Sequence, residues 1–283
     1  MSKAPRWKTM KFSAQSIFEL QESEDEKDWG GVERLVKRAK TAEIIAVLAE
    51  TDHPDVRAVL CYGLGRRCAI EAVPVLIDCL HDPDGRVCTE AAEALGNIGD
   101  PRAGPVLFEQ FCGPTKCSEN LLAYALGAVG YRPAIPKLIE ALADPDLRGS
   151  ATISLGSLGV VEAKAALQDA LNNETDSESV RKLIKRALSA IEVVTNTLDA
   201  KSIQSVLPSI IEALEASDPL PNRAAVRALT IMGNIEAEDI LRDKLSRSMD
   251  ECGLTQRIQE ALKDIEPRNS QGAYPADEAA ADL

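Results

Sequence analysis

Few residues in this 283-residue chain have the types and spacing that chemistry would need. The two histidines, His53 and His81, sit in D-H-P-D and L-H-D-P-D contexts, where a polar turn residue needs no further reason. The cysteines at 61, 68, 79, 88, 112, 117 and 252 show no C-x-x-C spacing. In F-C-G-P-T-K-C, Cys112 and Cys117 flank a turn and are the pair placed to be exposed or to join under oxidation, but no histidine or further cysteine completes a zinc set. Cys61, Cys79 and Cys88 fall within apolar helical patterns and read as small, reduced core residues. There is no G-x-x-x-x-G-K-[ST] loop, no G-x-S-x-G elbow and no dinucleotide-binding G-x-G-x-x-G after a strand. The sequence therefore supplies no catalytic residues, no cofactor-binding residues and no metal ligands. What remains is recognition chemistry, carried by tyrosine and by a local excess of arginine and lysine.

Composition narrows the setting for that recognition. The chain is 45% hydrophobic but only 4% aromatic, so its core must come from Ala, Leu, Val and Ile, which suit thin helices packed closely. A net charge of −13 opposes a general nucleic-acid binder, because phosphate neutralisation needs a dominant basic surface. No apolar run approaches the roughly 18 residues of a membrane span. The basic start MSKAPRWKTMKF is followed by early acids rather than an apolar stretch, so a cytoplasmic location is expected.

The elements that must position any binding residues are helix pairs. Val32, Leu35, Val36 and Ala39 share one helical face. A helix is expected over Ala42 to Glu50 with Thr41 as its N-cap, then a partner from Val56 to about Gly65. This two-helix unit recurs. Leu64-Gly65, Leu95-Gly96, Leu126-Gly127 and Leu155-Gly156 are spaced 31, 31 and 29 residues apart, and Leu188, Leu229 and Leu262 extend the series to seven. A small residue precedes each of these leucines.

Pro74, Pro105 and Pro136, with Pro208 later, mark the starts of first helices, where a missing N–H leaves no acceptor unfilled. Gly99, Gly130 and Gly159 mark the exits of second helices, and the D-P-D turns at 82–84 and 144–146 supply caps for them. The glycines in L-G-N-I-G and L-G-S-L-G read as helix punctuation.

L-x-x-x-L-x-D-P-D followed by A-x-x-A-L-G-x-x-G at a period near 30 resembles the HEAT-like repeat typified by the phycobilisome lyase proteins. The likeness runs over about 42–268 and is tightest from Val73 to Ala166. It implies an all-α, right-handed α-α solenoid of the armadillo/HEAT class with about seven repeats, a scaffold used for unrelated tasks. The expected organisation is an irregular lead-in at 1–30, in which Ile17, Phe18 and Leu20 cover the end of the array and Trp7 and Trp29 dock onto it. The repeats follow over 31–266, with a bend near 195–206 in the polar connector, and a disordered acidic tail at 267–283.

The register also nominates the binding face. Positions two and six residues before the leucine point away from the core. The first reads Tyr62, Glu93, Tyr124, Ile153, Arg186, Arg227 and Glu260. The second reads Ala58, Thr89, Asn120, Gly149, Lys182, Arg223 and Gln256. The expected contact residues are Tyr62, Glu93, Tyr124, Ile153, Lys182, Arg186, Arg223 and Arg227, on the concave face. A protein partner is expected there, with an acidic segment against the arginine half and apolar contact at the tyrosines. The family resemblance implies a rival, a bilin lyase or isomerase subunit handling an open-chain tetrapyrrole. Helical-repeat iron hydroxylases acting on hypusine precursors also resemble this architecture but carry several His-Glu pairs, which this chain lacks. Helical-repeat DNA glycosylases resemble it too, and the acidic charge opposes that reading.

Overall fold

The computed structural model describes residues 8–21, 29–173, 177–198, 203–247 and 252–270. Within these the chain is all-α, with sixteen α-helices, short 3-10 turns and no strand. None of the described helices is long and apolar enough to cross a membrane. The helices form two compact units, Met1–Leu122 and Ala123–Leu283.

Unit 1 contains α1 (Ala14–Gln21), α2 (Trp29–Arg38), α3 (Thr41–Glu50), α4 (Pro54–Arg66), α5 (Val73–Cys79), α6 (Gly85–Ile98) and α7 (Gly104–Cys112), and ends inside α8 (Glu119–Ala128). Its strongest packing is α4 against α6, the second helices of adjacent repeats. The lead-in is helical in part: Ile17 and Leu20 of α1 are fully buried, and Phe18 stacks on His53 with ring centroids 4.7 Å apart. Trp7, the acidic run 22–28 and the side chain of Trp29 lie outside the described residues.

Unit 2 continues with α9 (Ile135–Ala141), α10 (Arg148–Leu158), α11 (Lys164–Asn173), α12 (Glu178–Leu198), α13 (Ile203–Glu215), α14 (Pro219–Met232), α15 (Ile235–Arg247) and α16 (Cys252–Ser270). Here α10 packs on α12, α12 on α14 and α14 on α16.

The small-Leu-Gly signature has a packing cause. Leu64, Leu95, Leu126, Leu155 and Leu229 are all fully buried, each such side chain contributing about 1.5–3 kcal/mol. The glycine after the leucine meets the small residue of the next repeat. A Cβ added at Gly65 would stand 2.6 Å from the Ala94 Cα, one at Gly127 would overlap the Ser154 backbone, and one at Gly156 would stand 3.0 Å from the Ala187 Cβ. These glycines sit inside helices at close approaches, so only the later glycine of each motif is punctuation. Gly99 and Gly159 end α6 and α10 with φ of 75° and 61°, the left-handed region that glycine tolerates.

Several local expectations change. Thr41 opens α3 rather than capping it; the Glu43 carboxylate accepts the Lys40 N–H at 2.8 Å instead. Asp84 caps α6 as expected, accepting the Arg86 N–H at 2.9 Å. At the second D-P-D, Asp144 turns its carboxylate to the Asp146 N–H, leaving α10 without a side-chain cap. Pro74, Pro105 and Pro136 open their helices, whereas Pro208 lies inside α13, which starts five residues earlier at Ile203. Leu188 is only half-buried, because the 21-residue α12 buries the stripe Ile184, Ala187, Ile191, Val194. That helix runs through the first part of the expected polar connector to Leu198. At the other end, α16 continues through Pro267 to Ser270, four residues into the expected tail, and residues 271–283 lie outside the described set.

Candidate functional site

In unit 1, α2, α4 and α6 enclose an open cavity of about 550 Å³. Leu60, Cys61 and Leu64 turn one face of α4 into the core, which sends Tyr62 to the opposite side, 45% exposed at the cavity. Val32, Val36, Ala58 and Val59 give the cavity apolar walls. The charges around it are mostly matched. Lys37 pairs with Glu33 at 2.7 Å, and Arg86 pairs with Asp55 and, at 3.0 Å, with Asp84. Arg67 donates to the Ala39 carbonyl at 2.7 Å and to that of Val36.

Among the described residues, Glu90 of α6 is the cavity carboxylate with no cation paired to it. Its Oε2 is sealed from solvent and accepts no hydrogen bond. Burial, and then the nearby charge of Glu93, push its carboxyl above the usual range. Glu93 itself is half-buried.

The cysteines of unit 1 depart from expectation. Cys117 joins Cys88, not Cys112, in a disulfide with Cα atoms 5.3 Å apart, so neither is a free thiol and Cys112 stands exposed alone. The physical reason is placement: the turn after α7 carries Cys117 back to α6. There the Ser118 N–H reaches the Thr89 hydroxyl at 3.0 Å and the Lys116 ammonium reaches the Pro83 carbonyl at 2.7 Å. Cys61 and Cys79 are free and buried as read from the sequence. The Cys61 thiol bonds to Cys79 and is pushed well above its ordinary value by that bond and by burial.

Unit 2 receives the other nominated residues, and they do not form one exposed basic strip. Lys182 is exposed, with Glu178 at 4.0 Å. Arg186 is spent on Asp218, the N-cap of α14, at 2.7 Å. Ile153 packs against the apolar cluster of Ala190, Val194, Leu220 and Ala224. Arg223, expected to face outward, is 92% buried; α10, α12 and α16 all pack against α14 and leave it no free side. Tyr124 and Arg227 are half-buried.

A residue absent from the expected set organises this region. Arg257 of α16 donates to the carbonyl of Ser157 at 2.8 Å, to that of Ala128 at 3.2 Å and to that of Gly127. These carbonyls belong to the last turns of α10 and α8, whose partial negative charge suits a guanidinium. Desolvation, then the charge of Arg223, lower the Arg257 pKa to about 9, so at neutral pH it remains a cation. Its Nε is sealed without a partner. Glu90 and Arg257 both stand five residues before the register leucine, a column otherwise occupied by Val59, Leu121, Ser150, Leu183 and Ala224. That column was the readable signal for both.

Among the described residues no group of three or more His, Cys, Asp or Glu side chains is placed to hold a metal ion. Family models match residues 41–112 as HEAT repeats and residues 122–144 as a PBS lyase HEAT-like repeat. Deoxyhypusine hydroxylase of Neurospora crassa is 30% identical over 135 residues, 46% of this chain and 41% of that protein. Mannitol-1-phosphate 5-dehydrogenase of Lacticaseibacillus casei is 25% identical over 144 residues, 50% of this chain and 37% of that protein. The chain thus spans less than half the length of either curated relative. Among solved structures, the complex of CpcE and CpcF of phycocyanin lyase from Nostoc sp. PCC7120 matches over 94% of this chain and 99% of that one, at 20% identity and a TM-score of 0.48. Human deoxyhypusine hydroxylase in complex with glycerol matches over 90% and 97%, at 18% identity and a TM-score of 0.34. Residues 41–112 and 122–144 of this chain thus carry HEAT-like repeats, the second stretch of the PBS lyase type.

Proposed function

We propose that this chain is a non-enzymatic binding module that captures a protein partner on the variable faces of its second helices, with Tyr62 as the anchor in unit 1. The observation that carries this reading is the apolar cavity beside Tyr62. Natural pockets of about 300–1,000 Å³ hold ligands well, and a tyrosine at such a place brings large contact area at low entropic cost. A photo-crosslinking side chain at position 62, compared with one at exposed Glu50 of α3, tests it in cells of the source organism. One protein should be captured from 62 and not from 50. Tyr62→Ala should weaken that protein's binding by more than about tenfold, as for interface anchors. Equal capture from both positions would sink the reading.

A second reading has its own observation. The PBS lyase HEAT-like match at 122–144 includes Tyr124, which bears electrostatically on Arg257 together with Arg223 and Arg227. A tyrosine beside arginines suits a conjugated ligand bearing carboxylates, such as an open-chain tetrapyrrole with its two propionates. Mixing the purified chain with such a bilin should shift the pigment's absorption spectrum; an unchanged spectrum removes this reading.

A further inference from the structure

We propose that the cavity between α2, α4 and α6 receives a lysine side chain from a protein partner, its alkyl stem lying along Val32, Val36 and Tyr62 and its ammonium meeting Glu90. The inference rests on the binding reading above and names the chemistry of the partner.

Glu33, Asp55 and Asp84 each have a cation of this chain on them. Among the described residues Glu90 has none, and the neighbouring charge that bears on it is the like charge of Glu93. Glu90 lines the cavity with one carboxylate oxygen kept from water and without a donor, so its charge is poorly stabilised, and a cation brought beside the carboxylate lowers that cost. A compact ammonium on a flexible four-carbon stem suits this half-buried carboxylate better than a planar two-pronged guanidinium.

The cavity walls fit the rest of a lysine. Val32, Val36 and Val59 offer apolar surface to four methylenes, and the ring of Tyr62 offers a face to the cation. Arg66, also at the cavity, is exposed and screened by solvent, so it does little to repel an ammonium that reaches Glu90. An acidic side chain would instead add a third carboxylate beside Glu90 and Glu93. The partner segment at unit 1 is therefore basic, opposite to the acidic segment expected at the arginine half.

The test uses the full chain and three blocked pentapeptides in a Gly-Ser frame, with a central lysine, norleucine or glutamate, followed by amide shifts in two-dimensional NMR. The lysine peptide should give saturable shifts at Tyr62 and Glu90, and the norleucine peptide, which keeps the stem but lacks the charge, should bind at least about tenfold more weakly. Glu90→Gln, checked for a cooperative melting transition no lower than the parent's, should erase that preference. Equal binding of lysine and norleucine, tighter binding of glutamate, no saturable shift, or an undiminished preference in Glu90→Gln would each overturn the proposal. If crosslinking from position 62 succeeds while the lysine preference is absent, the binding module stands and this inference falls. A lysine preference without crosslinking leaves the reverse.

Discussion

Glu90 and Arg257 occupy the same place in their repeats, and each has one polar atom sealed from water without a partner. The two units treat that charge differently. In unit 2 the guanidinium of Arg257 is fed by the carbonyls of Gly127, Ala128 and Ser157, so the charge ties three repeats together. In unit 1 no comparable set of donors reaches Glu90, and the carboxylate is left beside an open cavity. A charge at a column of otherwise uncharged residues becomes a structural tie where neighbouring helix ends supply the opposite partial charge, and stays unmatched beside the cavity where they do not. The residue type alone does not decide which.

The contrast can be broken first at what closes each unit. Unit 1 is closed covalently by Cys88–Cys117, a link over 29 residues of chain. Replacing Cys88 with Ser should destabilise unit 1 by about 3–4 kcal/mol on chain-entropy grounds. Denaturant unfolding of this variant beside the parent reads this, and an unchanged midpoint would deny the disulfide a structural part. Unit 2 is tied non-covalently. Arg257→Met keeps the stem but strands the carbonyls, and should cost about 2–3 kcal/mol. It should also speed hydrogen exchange at the ends of α8 and α10, while unit 1 exchanges as before.

The smallest effect is at Glu90. Its pKa is raised, so between the unfolded and folded values the folded chain binds more protons, and stability falls as pH rises through that window. Glu90→Gln removes this loss. It should stabilise the protein slightly at pH 7, because solvent screens the exposed part of the carboxylate, with the gain vanishing below the ordinary glutamate value of 4.5. A variant that is less stable than the parent at pH 7 would place a hidden donor on Glu90 and undo the contrast.

Legibility in the sequence followed distance along the chain. The buried leucine column, the opening prolines at 74, 105 and 136 and the left-handed Gly99 and Gly159 are local demands, and local patterns reveal them. Pro208 misled because one residue marks a helix start only when the residues before it are not helical, and Ile203 to Leu207 are. Exposure at the nominated positions was legible only where it follows from a single helix, as at Tyr62 and Lys182. Arg223 is buried by neighbours up to four helices away in sequence, Cys117 finds Cys88 across two repeats' boundary, and Arg257 reaches Gly127 over 130 residues. No helical periodicity encodes such meetings. Reading the repeat in columns rather than along helices exposes Glu90 and Arg257 together, as the charged members of their column.

The backbone contacts at Gly65, Gly127 and Gly156 carry a consequence for how such a surface can diversify. Where one helix rests on the next through Cα and Cβ atoms, no side chain lies between them to lengthen or shorten the step. The step from α4 to α6 is thereby held constant while the outward residues are free to change. On the proposed binding reading, Tyr62 and Glu90 are two marks on a ruler whose graduations are glycine and alanine: substitution would rewrite what each mark meets, but not how far apart the two stand.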